Sequence, residues 1–132
     1  MKPPFYKGFR VTHSSEGKYA HVWHYLPGRI QPVHERHEYD EVPRSDFDWG
    51  TLGNGSFQLA YVLLVENCGH GVARRFFQRF AREKIALLPS DEWVMAPAEI
   101  IEWVLDQYGK PEDLVLGQRL ETGAGPESAN GG

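Results

Sequence analysis

Three glycines within six positions, Gly50, Gly53 and Gly55, lead directly into a stretch with almost no polar residue, and this junction constrains the fold more than any other part of the chain. Glycine reaches backbone conformations closed to other residues, so the chain can turn sharply there and set Ser56 at a helix start. From Ser56 to Cys68 the residues Phe57, Leu59, Ala60, Tyr61, Val62, Leu63, Leu64 and Val65 leave no polar stripe before Glu66. A helix that is apolar all round belongs at the centre of a domain. The glycine turn therefore reads as a tight connection that drops a buried helix into a core. The functional alternative is an anion held by the backbone N–H groups of the turn. Against it, no lysine follows the glycines as a phosphate-binding loop requires, and the spacing is not that of a dinucleotide fingerprint.

The rest of the chain is organised around that helix. Gly69 is a natural stop, and a second helix is expected from His70 or Gly71 to about Leu88. Ala73, Phe76, Phe77, Phe80, Ala81 and Leu88 recur on one side of it at spacings of three and four, with Arg75, Arg79 and Arg82 opposite. Pro89 ends it, Trp93 and Met95 fit a short strand, and Pro97 opens a third helix with Glu99 in its first turn. Ile101, Val104, Leu105 and Tyr108 are the expected buried stripe of that helix. Upstream, residues 5–13 and 18–26 alternate as two strands of a hairpin closed by Ser14, Ser15, Glu16 and Gly17. In the second strand Tyr19, His21, Trp23 and Tyr25 share one face and Ala20, Val22, His24 and Leu26 the other; either could meet the core. Residues 27–46, with Pro27, Pro32 and Pro43 and many charges, imply an extra strand or a binding loop, and Arg29 to Val33 is the candidate edge strand. The expected fold is α+β: an N-terminal antiparallel hairpin or small sheet packed against about three helices. One domain over residues 1–116 and a disordered, glycine-rich tail over 117–132 complete the reading.

A chain of 132 residues with 41% hydrophobic content supports one core. The formal charge of −4 argues against a general basic coat, but its distribution is uneven. Residues 1–34 and 71–88 each balance at +4, whereas residues 35–48 balance at −4 and 89–132 at −7. The single cysteine, Cys68, can make no disulfide within the chain and reads as a buried thiol in a reducing compartment. With no hydrophobic leader in Met-Lys-Pro-Pro-Phe-Tyr and no run of the ~18 apolar residues needed to cross a membrane, the expectation is a cytoplasmic protein without a membrane partner.

The run Phe47-Asp48-Trp49-Gly50, Gly53, Gly55 and Gln58-Leu59-Ala60, followed by Phe80, Leu88-Pro89, Trp93 and Trp103, resembles a small bacterial, archaeal and phage family catalogued as domain of unknown function 6166. The resemblance spans roughly residues 47–105. The chain departs from the family pattern with Ser56-Phe57 in place of Pro-Ala and Thr51-Leu52 in place of Tyr-Gly. The resemblance implies an α+β fold and a frequent association with mobile elements, and it carries no catalytic residues.

Several constellations are candidates for chemistry or binding. His34 to Glu41 is the densest group of metal-ligand types; were it helical, His34, His37 and Glu41 would share a face. Pro32 and Pro43 flank it, and a solvated acidic loop is the simpler expectation, so no metal and no cofactor are assigned. His21 and His24 should point to opposite faces. No nucleophile elbow surrounds Ser56, and Asp46 and Asp48 suit helix capping more than proton transfer. The basic ridge of Arg74, Arg75, Arg79 and Arg82 is the strongest partner-binding signal. Joined to the row of Tyr19, Trp23 and Tyr25, it would form a stacking and phosphate platform for single-stranded nucleic acid. Were the row to face the helices, a protein partner would be favoured instead. Gln58, the amide in the apolar run before Glu66, must satisfy its hydrogen bonds, and the glycine-turn backbone is the expected partner, with Phe47 and Trp49 covering that turn. The functional expectation is a noncatalytic binding or regulatory module derived from a mobile element, phage or plasmid. It docks on a protein or nucleic acid through the basic helix face. The alternative is a small enzyme or metal protein using His34, His37 and the glycine turn.

Overall fold

Alternation in the first two strands sets the sheet. In the computed structural model, which describes residues 3–13 and 17–108, β1 (Phe5–His13) and β2 (Gly17–Leu26) pair antiparallel from Phe5↔Tyr25 to His13↔Gly17. The hairpin residues Ser14 to Glu16 and the proposed tail at 117–132 lie outside the described residues. A two-residue turn, Pro27-Gly28, with Gly28 at a φ of 82°, returns the chain as β3 (Arg29–Pro32) along β2. β4 (Glu92–Met95) joins β1 on its other edge, giving one antiparallel sheet in the order β3-β2-β1-β4. The described chain divides into two units after Ile100, and the sheet lies in the first.

Period two now decides which face is core. Tyr6, Val22, Trp93 and Met95 are at most 3% exposed, whereas Val11, Tyr19, Ile30 and Val94, on the opposite face, are 36–58% exposed. Gly8 lies between Val22 and Trp93 in the register, and a Cβ there would fall inside the Trp93 indole. Trp93 in turn meets Trp49 edge-on at 5.7 Å, so the two indoles fill the space that glycine leaves.

α1 (Asn54–Cys68) is buried from Leu59 through Leu64 without a break, as an all-apolar helix requires. Gly69, at a φ of 89°, stops it and starts α2 (His70–Phe80), whose buried residues are Ala73, Phe76, Phe77 and Phe80. Phe77 meets the rings of Phe57 and Tyr61 edge-on at 6.2 and 6.1 Å. The expected single helix to Leu88 does not form. A π-helical turn, Ala81–Ile85, follows α2, with the Ala86 N–H reaching back to the Ala81 carbonyl at 2.8 Å. The Ile85 carbonyl accepts instead from Gly50 N–H at 3.1 Å and Leu88 N–H at 3.2 Å. α3 (Pro97–Gln107) begins at the proline as expected, with Glu99 accepting from Ala96 N–H at 2.9 Å. Its buried positions are Ile100, Val104 and Gln107; of the anticipated stripe Val104 is buried, while Ile101, Leu105 and Tyr108 are exposed.

Residues 33–53 are irregular but folded against α1. Val33, Val42, Phe47 and Trp49 are buried, and Gln58, fully buried in α1, holds the loop at two points. Its Oε1 accepts from Arg36 N–H at 2.6 Å and its Nε2 donates to the Pro43 carbonyl at 2.8 Å. The amide is satisfied by loop backbone, but at Arg36 and Pro43 rather than at the glycine turn. The three glycines there differ in role. Gly50 needs its freedom, at a φ of 79°; Gly53 is extended, a conformation open to any residue. Gly55 is required by space: a Cβ would lie 2.6 Å from the Asp46 carbonyl oxygen and 2.8 Å from Asp48 N. Ser56 closes the turn, its hydroxyl accepting from Gly53 N–H at 2.8 Å and donating to the Gly53 carbonyl at 2.7 Å.

Two consequences are measurable by chemical denaturation. Gly55→Ala, which forces loop backbone off the helix, is expected to cost roughly 1–3 kcal/mol, whereas Gly53→Ala stays within about 0.5 kcal/mol. Equal losses would assign the two glycines the same role. Gln58→Leu, which keeps an apolar filler but orphans the Arg36 N–H and Pro43 carbonyl, should cost roughly 1–3 kcal/mol. It should also speed hydrogen exchange at Arg36 more than at α2 amides.

Candidate docking surface

The antiparallel register assembles the outer face of the sheet. Opposed residues share a face, so Ile30, Tyr25 and Phe5 form one row, and Pro32, Trp23, Lys7 and Val94 the next. His21, Phe9 and Glu92 form a third row, and Tyr19 and Val11 a fourth. This face is opposite the one on which Tyr6 meets Glu66 of α1, so the row of Tyr19, Trp23 and Tyr25 is not core. Phe5 and Tyr25 stack at 4.7 Å between centroids and 7° between planes, and Phe9 and His21 at 5.8 Å and 30°. A cavity of about 590 Å³ opens at one end, beside Pro3, Phe5, Tyr25, Pro27, Arg29 and Ile30.

Charge on this face is sparse. Lys7 and Glu92 are its formal charges among the rows described above, with His21 between them. Arg75 and Arg79 stand on α2, which packs on α1 through Phe77, whereas the aromatic row stands on the outer face of the sheet. Arg75 and Arg79 lie 4.9 and 5.9 Å from the Phe76 ring centre. Arg74 leaves the ridge altogether and sits 4.8 Å above Tyr39.

Arg74 belongs to a cluster that fastens the loop over α1. Arg36 Nε donates to Glu38 Oε2 at 2.7 Å, Tyr61 OH donates to the same oxygen at 3.2 Å, and His70 Nε2 is 3.5 Å from it. The Arg36 hydrogen bond holds the Glu38 carboxyl below its usual range. Burial raises the Tyr61 phenol, with Glu38 adding to the effect. On the far side of the loop, Arg10 donates to Asp48 Oδ1 at 2.9 Å and to the Ser90 carbonyl at 2.8 Å while lying 4.4 Å over Trp49. Asp48 also accepts from Trp49 N–H at 2.9 Å, so it anchors Arg10 and its own backbone instead of capping α1.

The histidine-rich segment is not helical, and His34 and His37 are both exposed. Among the described residues no group of three or more His, Cys, Asp or Glu side chains is arranged to hold a metal ion. His21 and His24 occupy opposite faces, His24 stacking on Tyr6 at 4.1 Å. Burial raises the Cys68 thiol, which disfavours the thiolate. Ser56 is fully buried, with its hydroxyl engaged by Gly53.

A family model matches residues 6–106. The chain belongs to the family of unknown function DUF6166. The DUF6166 match starts at Tyr6 and so takes in the hairpin and β3 as well as the glycine run and helices, more than the 47–105 stretch whose motif carries the resemblance. No curated protein and no solved structure matches the chain. No described helix is long and apolar enough to cross a membrane.

One group under the sheet makes stability pH-dependent. Tyr6 OH donates to Glu66 Oε1 at 2.8 Å and accepts from Asn67 Nδ2 at 3.1 Å, and its phenol is raised by burial and by Glu66. The stacked His24 has a buried Nε2 without a hydrogen-bond partner, and burial lowers its pKa, aided by Arg29 and opposed by Glu66. The folded protein thus binds this proton more weakly than the unfolded chain. The associated stability is complete above the ordinary imidazole range and is lost as pH falls from that range through the lower folded pKa. Thermal unfolding followed from pH 8 to 5 should show the loss, and His24→Phe should flatten it; an unchanged slope would exclude His24 as its source.

Proposed function

We propose that this DUF6166 chain is a noncatalytic binding module that docks on a protein partner through the outer face of its sheet. The observation that carries the reading is the composition of the outer face: Trp23 and Tyr25 stand with Phe5, Phe9, Ile30 and Val94, and Lys7 and Glu92 are the formal charges of these rows. A contiguous aromatic and aliphatic face with few charges has the composition of an interface centre. Trp and Tyr are the residue types that dominate such interfaces energetically.

Single-stranded nucleic acid fits less well. Bases need open ring faces, and Phe5 and Tyr25 already cover one another. Phosphates need several cations, and Lys7 is the lysine of these rows, with the arginines on another surface. A regulatory role in a mobile-element setting, in the cytoplasm, is the biological context we attach to the module; the family resemblance and the lone cysteine support it.

The test compares wild type with Trp23→Ala/Tyr25→Ala and with Arg75→Glu/Arg79→Glu/Arg82→Glu, each isolated from the native host at low salt. The expected result is a recurrent protein partner. The sheet variant should bind it at least about tenfold more weakly, equivalent to about 1.4 kcal/mol, with thermal unfolding unchanged. The ridge variant should change binding less than about threefold. Loss confined to the ridge variant would move docking to α2, and a bound nucleic acid shown by absorbance ratio would replace the protein partner. An unaccompanied wild-type protein would overturn the reading.

A further inference from the structure

The two edges of β2 are used unequally. Along β1 the strand is paired from Gly17 to Tyr25, but β3 pairs with it only from Trp23 to Leu26. Val33 adds one more rung, its N–H donating to the Val22 carbonyl at 2.9 Å, and the chain then turns away into the loop over α1. β2 continues to Gly17. Among the described residues its edge beyond Val22 has no neighbouring strand.

Strand geometry says which groups that edge presents. Val22 bonds toward β3, and main-chain groups alternate in direction along an antiparallel strand, so Ala20 directs its N–H and carbonyl to the same side. Tyr19 and His21 direct theirs to Val11 and Phe9 of β1. Ala20 is partly exposed, and beside it lies a cavity of about 370 Å³. Trp23, Val33 and Phe47 supply its apolar walls, and His34, Glu35 and Asp46 its polar rim.

The rim is acidic. The loop from residue 35 to 48 balances at −4, and among the described residues Glu35 and Asp46 have no ion-pair partner. An unpaired edge beside an apolar slot with free carboxylates matches an extended segment that alternates apolar and basic side chains.

We infer that the edge of β2 beyond Val22 takes an extended, basic segment of a protein partner as an added strand, prolonging the β3 ladder through Ala20. Main-chain bonds at Ala20 hold the segment, the slot takes its apolar side chains, and Glu35 and Asp46 pair with its lysines or arginines. The segment spans about four to five residues, at about 3.3 Å each. The inference rests on the protein-partner reading and specifies the chemistry of that partner.

The probe is the end-blocked peptide Lys-Val-Lys-Val-Lys-Val, titrated into the full chain and followed by tryptophan fluorescence and by hydrogen exchange at Ala20. Saturable binding with slowed exchange at Ala20 is expected. Ala20→Pro removes the edge N–H without touching the β1 ladder and should weaken binding at least tenfold. Glu35→Lys/Asp46→Lys, and a Glu-Val peptide with the wild-type chain, should each do the same. Should Ala20→Pro fail to fold, the same peptide N-methylated at alternate amides gives the equivalent comparison with the wild-type chain. Absence of saturable binding, or equal binding of the methylated peptide, would overturn the inference. So would a concentration-dependent dimer whose formation protects Ala20, because a second copy would then be the occupant. Failure here with partner binding still lost in Trp23→Ala/Tyr25→Ala leaves the outer-face reading standing, and absence of any protein partner removes both.

Discussion

A helix with no polar side has to be covered on every side, and the structure is the set of elements that cover α1. α2 does so with Phe77 against Phe57 and Tyr61, and the sheet reaches its C-terminal end through Tyr6. The remaining side falls to irregular chain, which carries backbone groups that resist burial. Gln58 resolves that difficulty by giving the loop one acceptor and one donor from inside the helix. A polar residue in the most apolar segment thus lets a loop do the work of a third layer. Once the loop is fixed, Trp49 reaches Trp93 and Arg10 reaches Asp48, so the order of the sheet's inner face depends on the same residue.

Local pattern made most of the elements legible. Apolar spacing in residues 70–88, Pro97 with Glu99, and alternation in the hairpin are rules that act over a few residues; the hairpin and the starts of α2 and α3 are where they put them, whereas α2 gives way to the π turn at Ala81. What stayed hidden depends on chain distant in sequence. Both faces of β2 are aromatic or aliphatic, and only the presence of Trp93 over Gly8 selects the Val22 face as core. The α3 stripe was right at Val104 and wrong beside it: Ile101 and Leu105 have the spacing of a buried face, but Ile100 and Gln107 join Val104 in holding it. Gly53 and Gly55 look equivalent as letters, yet one has open space around it and the other has loop backbone at 2.6 Å.

The docking surface was half legible. Its residue types stand out in β2, and their partners Phe5 and Phe9 are one strand away, so the hairpin register alone could have joined them. Whether the arginine ridge joins them is not legible from composition, because a sheet has two sides and composition does not assign a helix to one of them. The acidic segment has a double use. Glu38 pairs inward with Arg36 and Tyr61, while Glu35 and Asp46 face the slot beside β2.

The end of the helical segment after α2 has a mechanical meaning. Four residues beyond Ile85 stands Pro89, which has no N–H to continue the helix ladder, and Gly50 N–H takes the Ile85 carbonyl instead. The end of the second helix and the entrance to the first are thereby spliced at a point more than thirty residues apart in sequence. Neither can fray without exposing the other, so both belong to one cooperative opening unit rather than to two independent ends.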